Sequence, residues 1–147
     1  NRVKKALPGI PVGYVDAYYQ FEKRSKLIDA CDVILVNCYP FWEGCNIEQS
    51  SIYLKQMYAV TQQLAKGKPV IITETGWPNR GDRLESAQPT ENNAMKYFID
   101  TSNWAQKNEI PLFYFSSFDE SWKVHHEGDV GARWGLWDKN EKLKFNQ

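Results

Sequence analysis

The sequence lacks a charge surplus of either sign and lacks any long apolar run. Its 18 Lys and Arg residues are balanced by 18 Asp and Glu residues. Binding of nucleic acid phosphates needs a basic surplus or stripe, so we expect no nucleic acid partner. No apolar run is long enough to span a membrane, and the first residues do not resemble a signal segment. We therefore expect no membrane partner.

Cysteine and histidine are scarce, which argues against a metal site. The three cysteines, Cys31, Cys38 and Cys45, form no Cys-x-x-Cys pair, and their disulfide state stays open. The adjacent His125 and His126 would point apart in an extended segment, so we interpret them as a solvated loop. We predict no metal and no cofactor.

Three catalytic motifs are also missing: a glycine-rich phosphate loop, a serine nucleophile elbow and the HExxH zinc motif. Catalysis by carboxylate side chains remains possible, and glycoside hydrolysis is the main reaction that relies on it. The sequence is rich in aromatic residues, at 14% with six Trp and eight Tyr. Many of them stand beside turns and carboxylates, which favours a binding cleft.

The hydrophobic pattern alternates between strands and helices. Strand-like segments at 11–18, 32–37, 70–74 and 111–118 are separated by helix-like segments at 25–30, 50–66 and 90–107. We expect Ser25 to cap the first of these helices, and Ser50 or Ser51 the second. Connections of this length predict parallel neighbours joined by right-handed crossovers, in an α/β fold.

Each predicted strand ends in polar or aromatic side chains. These are Asp16, Tyr18 and Tyr19; then Asn37, Tyr39, Phe41, Trp42 and Glu43; then Glu74 and Trp77; and last Asp119, Glu120, Trp122 and Lys123. The carboxyl ends of parallel strands meet at one edge of a sheet, where sites in such folds lie. Aromatic faces stack on sugar rings while carboxylates hold hydroxyls, so this edge predicts a carbohydrate cleft.

Individual members of this set also have simpler interpretations. Glu74 could be a strand-end carboxylate paired with an arginine, although a carboxylate ending a buried strand is costly unless it is used or paired. Glu120 and Lys123 could form only a local ion pair. Trp42 and Trp77 could be packing residues. We expect Trp134 and Trp137 to pack rather than bind, and Trp104 to be core.

Residues 72–78 (ITETGWP) resemble the nucleophile segment of glycoside hydrolase family 17, the β-1,3-glucanases and β-1,3-glucanosyltransferases of plants and fungi. Residues 118–123 (FDESWK) are similar to that family's last-strand motif, and residues 134–137 (WGLW) to its closing segment. Residues 39–43 (YPFWE) resemble the fungal branch most. The likeness covers essentially the whole chain.

The resemblance implies a (β/α)8 TIM barrel, with residues 1–147 as the carboxyl-terminal half of one catalytic domain, about the last four β/α units. It implies that Glu74 is the catalytic nucleophile. The other implied site residues bind substrate: Tyr39, Phe41, Trp42, Glu43, Trp77, Glu120, Trp122, Lys123 and Glu127. The implied substrate is a β-1,3-glucan, and the implied location is secreted or in the cell wall.

The family's general acid is a Glu in an Asn-Glu motif that ends the fourth strand, and no such segment precedes Pro11. Asn108 and Glu109 form an Asn-Glu pair, but they stand at a helix end before the last predicted strand, which is the wrong place. We therefore assign the general acid to no residue of this chain. We expect the acid from an amino-terminal half of the same enzyme. The alternatives are a non-catalytic carbohydrate-binding or structural half-barrel, and a barrel glycosidase for a different β-glucan.

Overall fold

The computed structural model describes residues 2–145 and contains one parallel sheet of four strands. The strands are β1 (Gly13–Ala17), β2 (Val33–Asn37), β3 (Val70–Thr75) and β4 (Leu112–Tyr114), and they lie in the sheet in chain order. The helices are α1 (Arg2–Ala6), α2 (Ser25–Ala30), α3 (Ile47–Leu64), α4 (Glu91–Lys107) and α5 (Val124–Glu127). Short 3-10 helices occupy Tyr18–Phe21, Ser121–Lys123 and Asp129–Ala132. The predicted strand–helix alternation agrees with this order.

The two long helices begin at side-chain caps. The side chain of Asn46 accepts a hydrogen bond from the Glu48 backbone N–H at the start of α3, and Thr90 accepts one from Asn93 at the start of α4. These bonds satisfy backbone donors that the first helical turn leaves free. The prediction that Ser50 or Ser51 caps α3 is wrong, because the helix begins three residues earlier. The prediction for Ser25 is also wrong: it is the first residue of α2, and no side chain caps that helix.

The helix-facing side of the sheet forms the core. Ile34, Val36 and Ile72 are at most 1% exposed and belong to one buried cluster with Leu54 and Met57 of α3. Side chains alternate along a strand, so the residues between them point to the other side. Among the described residues that other face is only partly covered: Val15 of β1 is 45% exposed and Phe113 of β4 is 64% exposed.

Strand β4 is shorter than the predicted segment 111–118. It pairs with β3 only over Leu112–Tyr114, and the following Phe115–Ser116 peptide bond is cis. Beyond it, Phe118 forms an isolated parallel bridge with Trp137. The chain leaves β3 at this point because the segment 134–137 supplies its hydrogen bonds instead: Ser116 N–H donates to Trp134 and Leu136 N–H donates to Ser116.

Strand β3 carries one extra residue relative to both of its neighbours. Val36 pairs with Ile72, but the next residue of β2, Asn37, pairs with Glu74. On the other side, Ile72 pairs with Leu112 and Thr75 pairs with Tyr114, so three steps along β3 match two along β4. This β-bulge spans Thr73 and Glu74, and it interrupts the alternation of side chains where β3 reaches the edge of the sheet.

Candidate active site

The site is centred on Glu74, at the bulge near the carboxyl end of β3. Its Oε2 atom accepts a hydrogen bond from the Tyr39 hydroxyl at 2.8 Å. This bond fixes the orientation of the Glu74 carboxylate. Burial raises the pKa of Tyr39 far above its ordinary range, and the nearby Glu74 charge adds to the shift. Tyr39 therefore stays protonated and remains a donor.

Aromatic rings hold Tyr39 in place. Its ring meets those of Trp134 and Phe115 edge-on, with centroid distances of 5.3 and 6.1 Å. Edge-to-face pairs of this kind are favourable beyond the area they bury. Trp134 is 3% exposed, as expected of a packing residue. Phe115 was not among the predicted site residues, because a ring inside a predicted strand gives no sign that it reaches the site.

The motif after β4 places a cation beside these rings. Lys123 Nζ lies 2.7 Å from Glu120 Oε2, with side-chain exposures of 14% and 29%. The same nitrogen lies 4.1 Å from the centroid of the Phe115 ring and 5.3 Å from that of Trp122. The predicted pair of Glu120 and Lys123 therefore forms. The Phe115 ring lies between this pair and Tyr39, because it contacts both Lys123 and the Tyr39 ring. Trp122 is 64% exposed and is free to meet a ligand.

Glu127 lies at the end of α5, and its charge is close enough to contribute to the raised pKa of Tyr39. Its Cβ atom packs so closely on Gly131 that a methyl group there would collide with it. The contact with Gly131 fixes the base of the Glu127 side chain. Glu127 thus joins the group of predicted residues that the structure brings toward Tyr39.

The loop after β2 supplies an exposed aromatic surface. Trp42 is 41% exposed, and it packs on the rings of Phe41 and Trp134 at centroid distances of 5.2 and 5.5 Å. Glu43 is exposed, and its charge contributes to a raised pKa of Tyr18, although burial is the main cause of that shift. Trp42 and Glu43 can therefore both reach a ligand at this side of the site.

Two predicted substrate contacts are corrected by their burial. Phe41 is 0% exposed and Trp77 is 1% exposed, so neither offers a ring face to a sugar. Their ring centroids lie 5.3 Å apart, and Trp77 Nε1 donates a hydrogen bond to the Gln88 backbone carbonyl at 2.9 Å. Both residues support the wall beneath Trp42 instead of lining the cleft.

Asp119 also departs from its predicted place among the cleft carboxylates. It accepts hydrogen bonds from Lys144 Nζ at 2.7 Å and from the Gly135 N–H at 3.0 Å, and both charged side chains are nearly buried. Asp119 is therefore a structural anchor. Trp104 was expected to be core, but it is only partly buried and lines a polar groove between α3 and α4.

No group of three or more His, Cys, Asp or Glu side chains among residues 2–145 is arranged to hold a metal ion. Over the same residues, no helix is long and apolar enough to cross a membrane. What the described site offers is a carboxylate held by a hydroxyl donor, a nearby lysine–glutamate pair and two exposed tryptophans.

The sequence matches one protein family over most of its length. Residues 1–135 match the BtgE/BtgC glycoside hydrolase domain. The chain belongs to this family. Two curated relatives are both called glucan 1,3-beta-glucosidase. The Arthroderma benhamiae protein is 31% identical, over 99% of this chain and 53% of its own length. The Saccharomyces cerevisiae protein is 28% identical, over 97% of this chain and 49% of its own length.

Solved structures agree with this assignment. The glycoside hydrolase family 17 beta-1,3-glucanosyltransferase of Rhizomucor miehei superposes with a TM-score of 0.89 at 33% identity, over 97% of this chain and 52% of that enzyme. An endo-laminarinase from Formosa, at 20% identity and a TM-score of 0.71, shares the fold. The predicted resemblance to family 17 and the predicted α/β barrel class are confirmed. As a BtgE/BtgC domain, the chain spans about half the length of the relatives it matches.

Proposed function

We propose that this BtgE/BtgC domain supplies the nucleophile of a retaining β-1,3-glucan hydrolase or transglycosylase. The observation that carries the proposal is Glu74, held on the bulge of β3 by the Tyr39 hydroxyl at 2.8 Å. The relatives named as glucan 1,3-beta-glucosidases and the Rhizomucor miehei glucanosyltransferase support the class of substrate. An active-site mutant of the Rhizomucor enzyme has been solved in complex with laminaritriose.

In the proposed reaction the Glu74 carboxylate attacks the anomeric carbon of a glucosyl unit. The bond from that carbon to the leaving oxygen breaks as a general acid protonates the oxygen, leaving a glucosyl ester on Glu74. Water or a sugar hydroxyl then attacks the same carbon, gives up its proton to the acid/base group, and releases the Glu74 carboxylate. Tyr39 keeps its proton throughout and orients Glu74.

The general acid is proposed to come from an amino-terminal half of the same enzyme. A retaining enzyme needs two carboxyl groups about 5–5.5 Å apart. The described residues place Glu120 on Lys123 and Asp119 on Lys144, so neither of these carboxylates is free for the second role. The partly covered sheet face and the half-length match to the relatives support a completing half. The proposed location is the secreted or cell-wall fraction, where a glucan polymer is available.

A mixing experiment tests this proposal. We expect the 147-residue chain alone to release no sugar from laminarin, and activity to appear when it is combined with the amino-terminal half of the Rhizomucor miehei enzyme. A complex of the two chains by size-exclusion chromatography is the matched readout of assembly. A stable complex that binds laminarin but stays inactive would instead support the second candidate.

That second candidate is a non-catalytic carbohydrate-binding half-barrel. The exposed rings of Trp42 and Trp122, at 41% and 64%, favour it because they can bind sugar without any acid. A third candidate, activity on a different β-glucan, is distinguished by comparing products from laminarin with those from β-1,4- and β-1,6-linked glucans.

Trp42 is expected to influence the choice between transfer and hydrolysis. Its exposed ring, packed on Trp134, offers an acceptor sugar a stacking surface that excludes water from the glucosyl ester. In the complete enzyme, Trp42→Ala should lower the ratio of transfer to hydrolysis by roughly tenfold, about the loss of one stacking contact. Product analysis at high laminari-oligosaccharide concentration measures it. Ile52→Ala, on the outer face of α3 and 53% exposed, is the control. If Trp42→Ala left the ratio of transfer to hydrolysis unchanged, Trp42 would not be the acceptor's stacking surface.

A further inference from the structure

The bulge in β3 decides where Glu74 points. Val70 and Ile72 face the helices and are buried, so regular alternation would place Glu74 on the same helix-facing side. The extra residue shifts the register by one, and a shift of one residue moves a side chain to the opposite face. Glu74 therefore reaches the Tyr39 hydroxyl only because the bulge is present.

Thr75 is the first residue after the bulge and returns to the helix-facing side. Its Oγ1 atom lies 2.7 Å from the hydroxyl of Tyr97, in the middle of α4. Thr75 is 0% exposed and Tyr97 is 1% exposed, so the two hydroxyls have no access to solvent. Burial raises the pKa of Tyr97 far above its ordinary range, and the hydroxyl stays protonated. The Tyr97 hydroxyl also lies close to Thr101, which is 1% exposed. Water cannot replace Thr75 as the partner of Tyr97, because none of these buried hydroxyls reaches solvent.

The other side of the bulge is held from within the cleft. Thr73 Oγ1 donates a hydrogen bond to Asn37 Oδ1 at 2.8 Å, and the Cys38 N–H donates one to the Glu74 carbonyl at 2.9 Å. Asn37 and Tyr39 come from the same strand end. The Tyr97 bond is different, since it reaches the bulge from the helical layer, where the Tyr97 hydroxyl also adds slightly to the raised pKa of Tyr39.

We propose that Tyr97 is a positioning residue for the nucleophile: by holding Thr75 on the helix side, it maintains the β3 bulge that directs Glu74 to Tyr39 and the cleft. The inference rests on the proposed function of Glu74. Tyr97 lies in the helical layer and not against substrate, and its hold on Glu74 passes through Thr75. The neighbouring Trp77 ring, whose centroid lies 5.5 Å from that of Tyr97, keeps the phenol oriented toward Thr75.

The expected effect is on turnover and not on substrate binding. Loss of the bond leaves the β3 end free to drift toward the regular register, which turns the carboxylate away from the anomeric carbon. Small misplacements of a reacting group cost up to about a hundredfold in rate. We therefore expect Tyr97→Phe, which removes only the hydroxyl and keeps the ring, to lower kcat of the complete enzyme roughly tenfold, with KM within about twofold of wild type.

A double-mutant cycle separates this role from general destabilisation. Tyr97→Phe, Thr75→Val and the double variant are measured for kcat, KM and thermal midpoint. Because the two hydroxyls act as one unit, the double variant should be no slower than the slower single variant. Thr75→Ser keeps the hydroxyl, and we expect it to restore kcat to within about threefold of wild type. Tyr58→Phe, a buried tyrosine of α3 that is 8% exposed, is the control for losing a phenol in the helical layer.

The outcomes separate the two proposals. If Glu74→Gln keeps its activity, the proposed function is wrong. If Glu74→Gln is inactive while Tyr97→Phe keeps wild-type kcat, only the positioning role of Tyr97 is wrong. The positioning role would also be overturned if the losses of kcat multiplied in the double variant, or if Thr75→Ser were as slow as Thr75→Val. A crystal structure of Tyr97→Phe should show a longer Tyr39–Glu74 distance than 2.8 Å.

Discussion

Glu74→Gln in the complete enzyme should lose nearly all turnover of laminarin. The amide keeps the shape of the carboxylate but is a poor nucleophile, so no glucosyl ester forms. Loss of a nucleophile costs on the order of a thousandfold or more in kcat. KM should change little, since the hydrogen bond with Tyr39 can be kept by the amide oxygen at the position of Oε2. Initial rates of reducing-sugar release measure the effect.

Two controls make this result specific. Glu109→Gln replaces an exposed carboxylate beside Asn108, before β4, and should leave turnover at the wild-type level. Glu74→Gly removes the carboxylate and leaves space next to the anomeric carbon. Added azide should then restore turnover of an activated β-glucoside by attacking that carbon itself, giving a glycosyl azide of inverted configuration. A Glu74→Gln enzyme with wild-type turnover would contradict the assignment, as would azide rescue with retained configuration.

Breaking the buried pair of Asp119 and Lys144 should lower the free energy of unfolding far more than breaking an exposed ion pair. Lys144 Nζ contacts Asp119 Oδ1 at 2.7 Å and Asn79 Oδ1 at 3.1 Å, with side-chain exposures of 10% for Lys144 and 7% for Asp119. Burial lowers the pKa of Lys144, and Asp119 opposes that shift. Lys144→Met leaves the Asp119 charge buried without its partner, which costs about 3–5 kcal/mol of the free energy of unfolding.

Urea unfolding at neutral pH measures this loss, and a second ion pair provides the comparison. Lys96→Met breaks an exposed pair with Asp100, whose side-chain exposures are 42% and 39%. Exposed pairs of this kind contribute about 0–1 kcal/mol, so the midpoint should hardly move. The double variant Asp119→Asn/Lys144→Met should be more stable than Lys144→Met alone, because no unpaired charge remains. Equal losses for Lys144→Met and Lys96→Met would contradict the structural role of Asp119.

The order of strands and helices could be predicted because the apolar periodicity is strong, but one helix boundary could not. Ser50 resembles a helix cap in the sequence, yet its hydroxyl donates back to the Ile47 carbonyl inside α3. Serine competes for backbone partners in both positions, so its type alone does not decide between them. The end of β4 was missed for another reason: it depends on pairing with residues 134–137, which no local pattern reveals.

For the candidate site, the topology predicted which strand ends meet, but not which aromatic rings are exposed. Phe41 and Trp42 are adjacent, and one is buried while the other is 41% exposed. Both rings pack on Trp134, but Phe41 also packs on Trp77, and these two tryptophans come from two other segments. The bulge at Glu74 gives no signal either, because neither Thr73 nor Glu74 is a glycine. The sequence therefore predicted the position of Glu74 in the chain, but not the β-bulge that sets the direction of its side chain.

The order of the four strands in the sheet has a consequence for how the chain reaches this structure. Each strand pairs with the strand that comes next in the sequence, so the sheet can grow by adding one β/α unit at a time. Adding units in this way leaves an unpaired strand at each edge of the sheet. Within residues 2–145, β1 and β4 each keep a row of backbone groups without a neighbouring strand, and such rows recruit further strands. Copies of this chain would compete for those rows with the proposed amino-terminal half, so a molar excess of that half should favour correct assembly in reconstitution.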